Sequence, residues 1–331
     1  MCTSTGLGRV GRAGGKAGLF ALFLSGAFKE GLLGGAHGIG HGWKDATVGR
    51  GFHPYPIVSR ALRGLGPPSL LGESSHRALS TATVHPMSSP SDTSEPWFVT
   101  AFRADYRELY AHRDDHAAEE EVAHLIEQGL QGPVLDLCCG FGRHAAAMTR
   151  RGLDVVGVDL SAELLRSADP HIAGRLARCD ARSLPFKQSS FAGLVNLFSS
   201  FGYFGEDGDL EVLDEIARVL MPSGVAFMDL MNPEFVRATL VPFSEREEQG
   251  VVLTEERALE NDGLQVVKQV CMTRPDGEVR RWREEVRLYT VADLAESLQE
   301  RGIEVESVAG AFDGRPLAAD TPRQLLRLSR R

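Results

Sequence analysis

Two acids stand at the ends of apolar runs, and a third leads the loop after a further strand. Val134-Leu135-Asp136-Leu137 leads into Cys138-Cys139-Gly140-Phe141-Gly142-Arg143-His144-Ala145, a turn with two closely spaced glycines, and then into helix-forming residues. Seventeen residues after Gly142, Asp159 ends the run Val155-Val156-Gly157-Val158. Asp180 opens the stretch Asp180-Ala181-Arg182-Ser183-Leu184-Pro185-Phe186. Glycine tolerates positive φ and lets a backbone approach a ligand closely. A strand, a glycine turn and a helix start, with acids at successive strand ends, form a pocket for an adenosine-bearing ligand.

The elements that must hold these residues read as alternating strands and helices. Strands are expected at Val134–Leu137, Val155–Asp159, Leu176–Cys179, Ala192–Phe198 and Val225–Leu230, the last following the turn Met221-Pro222-Ser223-Gly224. Helices are expected over Arg143–Arg151, closed by Gly152, from Ser161 as a cap, and over Leu210–Leu220. An earlier helix carries Ala117, Ala118, Val122, Leu125 and Ile126, with Asp114 as its cap. Such a rhythm implies a mostly parallel sheet covered on both faces. Past residue 250 it changes. Three or so antiparallel strands are expected between 251 and 289, separated by Asn261-Asp262-Gly263 and Pro275-Asp276-Gly277. A helix over Val291–Arg301 and strands at Ile303–Val308 and Gln324–Ser329 then return to the sheet.

The turn Gly140-Phe141-Gly142-Arg143-His144-Ala145 also fits the dinucleotide fingerprint. Three features point away from a nicotinamide dinucleotide. Asp136 would repel a pyrophosphate but not an amine-bearing ligand, the loop after the third strand is led by the acid Asp180, and the chain closes with a helix–strand–strand pattern that suits one reversed strand.

From about Trp97 onward the chain resembles the class I S-adenosylmethionine-dependent methyltransferases. The stretch VLDLCCGFGRHA matches the first motif of that family, and VVGVDLS, DARSLPF and ARVLMPSGVAFMDL follow in family order. The resemblance implies a doubly wound, mostly parallel seven-stranded sheet with an antiparallel insert after strand five, at about 245–289. It also implies S-adenosylmethionine as cofactor and a set of contacts to it. Asp136 faces the methionine amino group, Cys138, Gly140 and Gly142 line the turn, and a side chain at Gly142 would enter the ligand's space. Asp159 takes the ribose hydroxyls, Leu160 packs on adenine, and Asp180 and Ala181 meet its amino edge and face. Asn196 and Leu197 flank the methionine portion.

Asn196-Leu197-Phe198-Ser199-Ser200-Phe201-Gly202-Tyr203-Phe204 resembles the loop after strand four in aminosugar N,N-dimethyltransferases. This implies a small-molecule acceptor methylated at N or O by in-line displacement. Tyr203 and Tyr106 are the candidate bases, with His144 behind them, and Arg113, Phe201 and Asn232 are candidate acceptor contacts. An RNA methyltransferase and a non-catalytic cofactor-binding protein are the alternative readings, with a dehydrogenase behind them.

Composition narrows these readings. The 331 residues are 43% hydrophobic and 24% charged, with net charge −9. Residues 1–86 hold nine Lys/Arg against Glu30, Asp45 and Glu73, so they carry +6 and the remainder −15. An acidic body argues against phosphate-backbone binding. No apolar run approaches the length of a membrane span. Five scattered cysteines suit neither a disulfide framework nor a metal pair, and no metal-site constellation stands out. They point to a reducing compartment, the cytoplasm. Residues 1–96 read as a low-order leader and linker ahead of a methyltransferase domain at 97–331. The leader reads first as a non-native extension outside the fold, with Met87 near a more natural start; its low acid content also suits a transit peptide to an organellar matrix, and Ala17 to Phe28 imitates a secretory signal.

Overall fold

The computed structural model describes residues 95–106 and 115–331. Residues 1–94 of the leader and linker, and separately Arg113 and Asp114, lie outside the described residues. In chain order the elements are α1 (Trp97–Ala101), α2 (Asp115–Glu127), β1 (Val134–Leu137), α3 (Arg143–Arg150), β2 (Val155–Asp159), α4 (Ala162–Arg166), α5 (Pro170–Ala173), β3 (Leu176–Arg178), β4 (Phe191–Asn196), α6 (Gly205–Val219), β5 (Leu220–Met231) and α7 (Pro233–Thr239). There follow β6 (Phe243–Glu248), β7 (Val251–Glu260), β8 (Gln265–Thr273), β9 (Val279–Arg287), α8 (Val291–Glu300), β10 (Ile303–Ala309) and β11 (Arg323–Arg330).

Seven strands form one sheet in the order β10-β11-β5-β4-β1-β2-β3. β3, β2, β1, β4 and β5 are parallel, whereas β11 runs antiparallel to both β5 and β10. Every residue of β1 is buried because helices cover both faces. Leu135, Leu137, Leu194 and Met228 pack with Leu213 and Ile216 of α6 and Leu294 and Leu298 of α8. On the other face Val134, Val195 and Phe227 pack with Val122 and Leu125 of α2 and Ala145 to Met148 of α3. This is the expected doubly wound α/β sheet, with its one reversed strand.

β6 to β9 make a second, four-stranded antiparallel sheet. It docks at two places. Leu253, Val270, Met272 and Trp282 meet Ala101 and the aromatic residues around it, while Val266 and Leu288 meet Phe235 and Val236 of α7 and Met231. The sequence pattern misses β6, whose Phe243-Ser244-Glu245-Arg246-Glu247-Glu248 lacks apolar alternation. It is an edge strand, where charge is tolerated and guards against further pairing. Two other boundaries move. β4 stops at Asn196 because Phe198 and Ser199 adopt φ of 61° and 54°. The Met221–Gly224 turn is absorbed into β5 as a register shift with Ser223 at φ 62°.

Candidate active site

The parallel strands bring Asp136, Asp159 and Asn196 to one edge of the sheet, with Asp180 just beyond β3. In open α/β sheets that edge is where ligands bind. Asp159 organises it. Its Oδ2 accepts from the Gly140 amide at 2.8 Å and its Oδ1 from the Ser161 amide at 2.8 Å. Burial raises its pKa, opposed by these amides. Ser161 caps α4 by accepting from the Leu164 amide, and its hydroxyl donates to the Phe102 carbonyl at 2.6 Å. One acid thus fixes the turn below it and the capping residue beside it.

Asp136 is 2% exposed, and its Oδ2 has no hydrogen-bond partner among the described residues. Burial pushes its carboxyl up to about 7, against the pull of Arg143 and the Ala145 amide. Cys138, Gly140 and Gly142 all lie in the left-handed region, at φ 61°, 59° and 80°. The Cys138 thiol is driven up by burial and by the nearby carboxylates of Asp159, Asp136 and Asp180. The reason for Gly142 differs from the expectation. A Cβ there would lie 2.6 Å from Ile172 Cδ1 and 2.9 Å from Leu176 Cδ1, so it would collide with the protein's own core. At Gly140 the nearest atom would be Leu164 Cδ1 at 3.9 Å, and only the backbone conformation calls for glycine.

Asp180 is held below the usual carboxylate range by Arg182, which donates from Nη2 at 2.7 Å, from Nε at 3.1 Å and from its amide at 2.9 Å. Arg182 also lies 4.6 Å from the Phe204 ring centre. Nothing in the motif pattern signals this arginine beyond its place two residues after the acid. Leu160 is half-buried and its carbonyl accepts from Arg178 Nε, while Ala181 is 5% exposed within the core. Asn196 is fully buried. Its Nδ2 reaches the carbonyls of Leu137 at 3.2 Å and Ser200 at 3.3 Å, and its Oδ1 has no partner among the described residues. Leu197 packs into the core beneath α2 and α3.

Among the residues expected to meet an acceptor, Tyr203 joins an aromatic group. Its ring lies 4.9 Å from Trp97 and stacks on Phe102 at 5.8 Å, and Phe102 meets Tyr106 at 5.3 Å. A cavity of about 360 Å³ opens beside Tyr203, lined also by Trp97, Leu264, Gln265, Glu285 and Arg287. Two expected acceptor contacts are corrected. Phe201 is 2% exposed and packs against Tyr289, a core residue. Asn232 caps α7. Its side chain accepts from the Glu234 amide and spends its donors on the Ala318 and Thr321 carbonyls, leaving no N–H for a ligand. His144 is buried against Glu121 at 2.7 Å. Burial and the neighbouring Arg143 lower its pKa to about 4, so the ring is neutral near pH 7.

A family profile described as a methyltransferase domain matches residues 134–224. The putative methyltransferase YqeM of Bacillus subtilis is 26% identical over 235 residues, covering 67% of this chain and 93% of its own length. A dTDP-3-amino-3,4,6-trideoxy-alpha-D-glucopyranose N,N-dimethyltransferase of Streptomyces venezuelae is 25% identical, covering 63% and 92%. The fold is shared with an S-adenosylmethionine-dependent methyltransferase of Clostridium acetobutylicum, at TM-score 0.58 and 19% identity, covering 68% and 96%. The chain is a class I S-adenosylmethionine-dependent methyltransferase.

The donor edge of the methyltransferase fits that cofactor. A buried carboxylate oxygen without a partner among the described residues suits an ammonium group, and the two glycines of the left-handed turn beside it present no side chain. Beyond the donor edge lies a charged cluster that the sequence pattern does not signal. Asp229 of β5 is 0% exposed and pairs with Arg323. Arg323 stands two residues before Leu325, the register partner of Asp229, so both side chains leave the same face of the sheet. Asp229 Oδ2 accepts from the Phe198 amide and its backbone carbonyl accepts from the Ser199 amide, each at 2.8 Å. These bonds hold two successive left-handed residues, each a conformation that costs about 1–3 kcal/mol outside glycine. The Phe198 ring lies 4.1 Å from the Arg143 guanidinium and 4.6 Å from that of Arg323. Glu121 closes the cluster on the far side, against Arg143 at 3.4 Å and His144. Burial pushes the Glu121 carboxyl up, but His144 and Arg143 outweigh it and hold the pKa at about 2.

Proposed function

We propose that the enzyme transfers a methyl group to an N or O atom of a small-molecule acceptor by in-line displacement. The observation that carries the reading is the buried Asp136 Oδ2, which has no partner among the described residues, beside the left-handed turn at Cys138, Gly140 and Gly142. Bound S-adenosylmethionine supplies a methyl group already activated on a sulfonium, so the protein's task is alignment and exclusion of water. In this reading Asp136 takes the ammonium group, and Gly140 and Cys138 present backbone to the methionine portion, with Asn196 and Leu197 alongside. The free lone pairs of Asp159 take the ribose hydroxyls. Leu160 and Ala181 sandwich the adenine, and Asp180 faces its amino edge.

A small acceptor is supported by the acidic body, by the enclosed aromatic surroundings of Tyr203, and by relatives named for dTDP-aminosugar substrates. Tyr203 is the residue that would orient the acceptor or take its proton, with Tyr106 one ring further along the same aromatic group. A base is required only when the acceptor atom carries a proton that must leave. Calorimetry of the full chain with S-adenosylhomocysteine and with NAD tests the donor half, and binding of NAD alone would overturn it. Incubation with methyl-labelled cofactor and either a metabolite extract or total RNA tests the acceptor half. Label in the small-molecule fraction is expected, and label confined to RNA would refute a small acceptor.

A further inference from the structure

Phe198 touches both halves of the site. The residue that follows Gly142 in the donor turn is Arg143, and its guanidinium lies 4.1 Å from the Phe198 ring centre. The next residue, His144, brings its ring within 5.7 Å of the same phenyl group. Phe198 in turn begins the loop that leads to Tyr203. Its amide and that of Ser199 are tied to Asp229, and Arg323 both pairs with Asp229 and lies 4.6 Å from the ring. A planar guanidinium stacks on an aromatic face in a way that an ammonium does not reproduce. Asp229 is wholly buried and held against a cation, so it cannot leave the loop without exposing an unpaired charge.

We infer that Phe198, clamped by Arg143 and by the Arg323–Asp229 pair, is a positioning residue that ties the geometry of the acceptor loop, 198–204, to the state of the donor turn. It needs no contact with either substrate. A ligand that steadies Gly140 to Gly142 steadies Arg143, which follows directly in the chain, and the ring carries that constraint to the two strained residues that open the acceptor loop. Acceptor alignment would then be completed only when the donor is in place. This inference rests on the donor-site reading above.

Hydrogen–deuterium exchange on the full chain, with and without S-adenosylhomocysteine, tests it. In the unaltered protein the ligand is expected to slow exchange both at 140–144 and at 198–204, the latter by about fivefold or more. In Phe198→Leu, which keeps an apolar side chain but loses the ring, the ligand should still bind within about twofold of the original affinity and still protect 140–144. Its protection of 198–204 should be gone. Arg143→Lys, which keeps the charge but not the planar group, should lose most of that protection and carries the test if Phe198→Leu does not fold. Ligand-induced protection of 198–204 that is unchanged in either folded variant would overturn the inference. Absence of protection at 140–144 in the unaltered protein would instead refute the donor site itself, and this inference with it.

Discussion

The amide of Arg287 donates to the carbonyl of Gly202 at 2.8 Å, and the Arg287 carbonyl oxygen lies 2.5 Å from where a Cβ on Gly202 would stand. The end of β9 is thus pressed against the loop that follows β4. This backbone contact joins the antiparallel sheet to that loop, in addition to the two apolar docking regions, and Gly202, at φ 91°, is the residue that permits it.

Gly202→Ala is expected to destabilise the protein by about 2–4 kcal/mol, because a backbone oxygen cannot turn aside as a side chain can. Thermal unfolding checks this. A shift no larger than that of an exposed glycine-to-alanine change would show that the two sheets separate freely here.

The titration of Asp136 has a consequence for binding. In the free protein its carboxyl titrates near pH 7, so it is protonated below that pH. An ammonium group prefers the ionised form, so binding releases a proton. Affinity for S-adenosylhomocysteine should therefore rise from about pH 5.5 to about pH 7.5 and then level. Asp136→Asn should weaken binding and remove the slope. Calorimetry in buffers of different ionisation enthalpy measures the proton release directly, and an equal slope in the Asn variant would assign the titration to another group.

Asp159→Ala should reduce cofactor affinity by about 10- to 100-fold, the worth of one or two hydrogen bonds to a charged acceptor. Part of that loss arises in the free protein, since the Gly140 and Ser161 amides lose their acceptor too. Asp159→Asn separates the effects, because its one oxygen retains one amide while the charge is gone. Unchanged affinity in both variants would place the ribose elsewhere.

The two turn glycines should behave differently. Gly140→Ala meets only the left-handed backbone penalty, about 1 kcal/mol. Gly142→Ala adds the displacement of the Ile172 and Leu176 methyl ends and should cost roughly twice as much. Unfolding in denaturant ranks them, and equal losses would mean that the core beneath Gly142 yields without cost.

The elements that carry the candidate donor residues were legible in the sequence because they are local. A strand, a turn and a helix cap sit within a dozen residues at Val134–Ala145, Asp159 ends a short apolar run, and Asp180 opens the loop after the third strand. The Asp229–Arg323 pair was not legible, because 94 residues separate its members and only the antiparallel register of β11 on β5 brings them together. Phe198 looked like the end of a strand. Its left-handed backbone is imposed by Asp229, a residue with no local signal beyond being an acid in a buried strand. Asn232 shows the reverse error. Its position just past a strand suggested a ligand contact, whereas Pro233 and Glu234 after it were the signs of a helix cap.

The second sheet is a single uninterrupted length of chain, Phe243 to Arg287, entered after α7 and left before α8. All the acids and glycines of the donor edge come earlier, between Asp136 and Asp180. The fold is thereby split in chain order, with the strand-end acids and the glycine turn encoded first and the antiparallel sheet encoded later as one block. Recombination at two points would exchange that block whole and leave untouched every strand and turn that carries Asp136, Asp159 and Asp180.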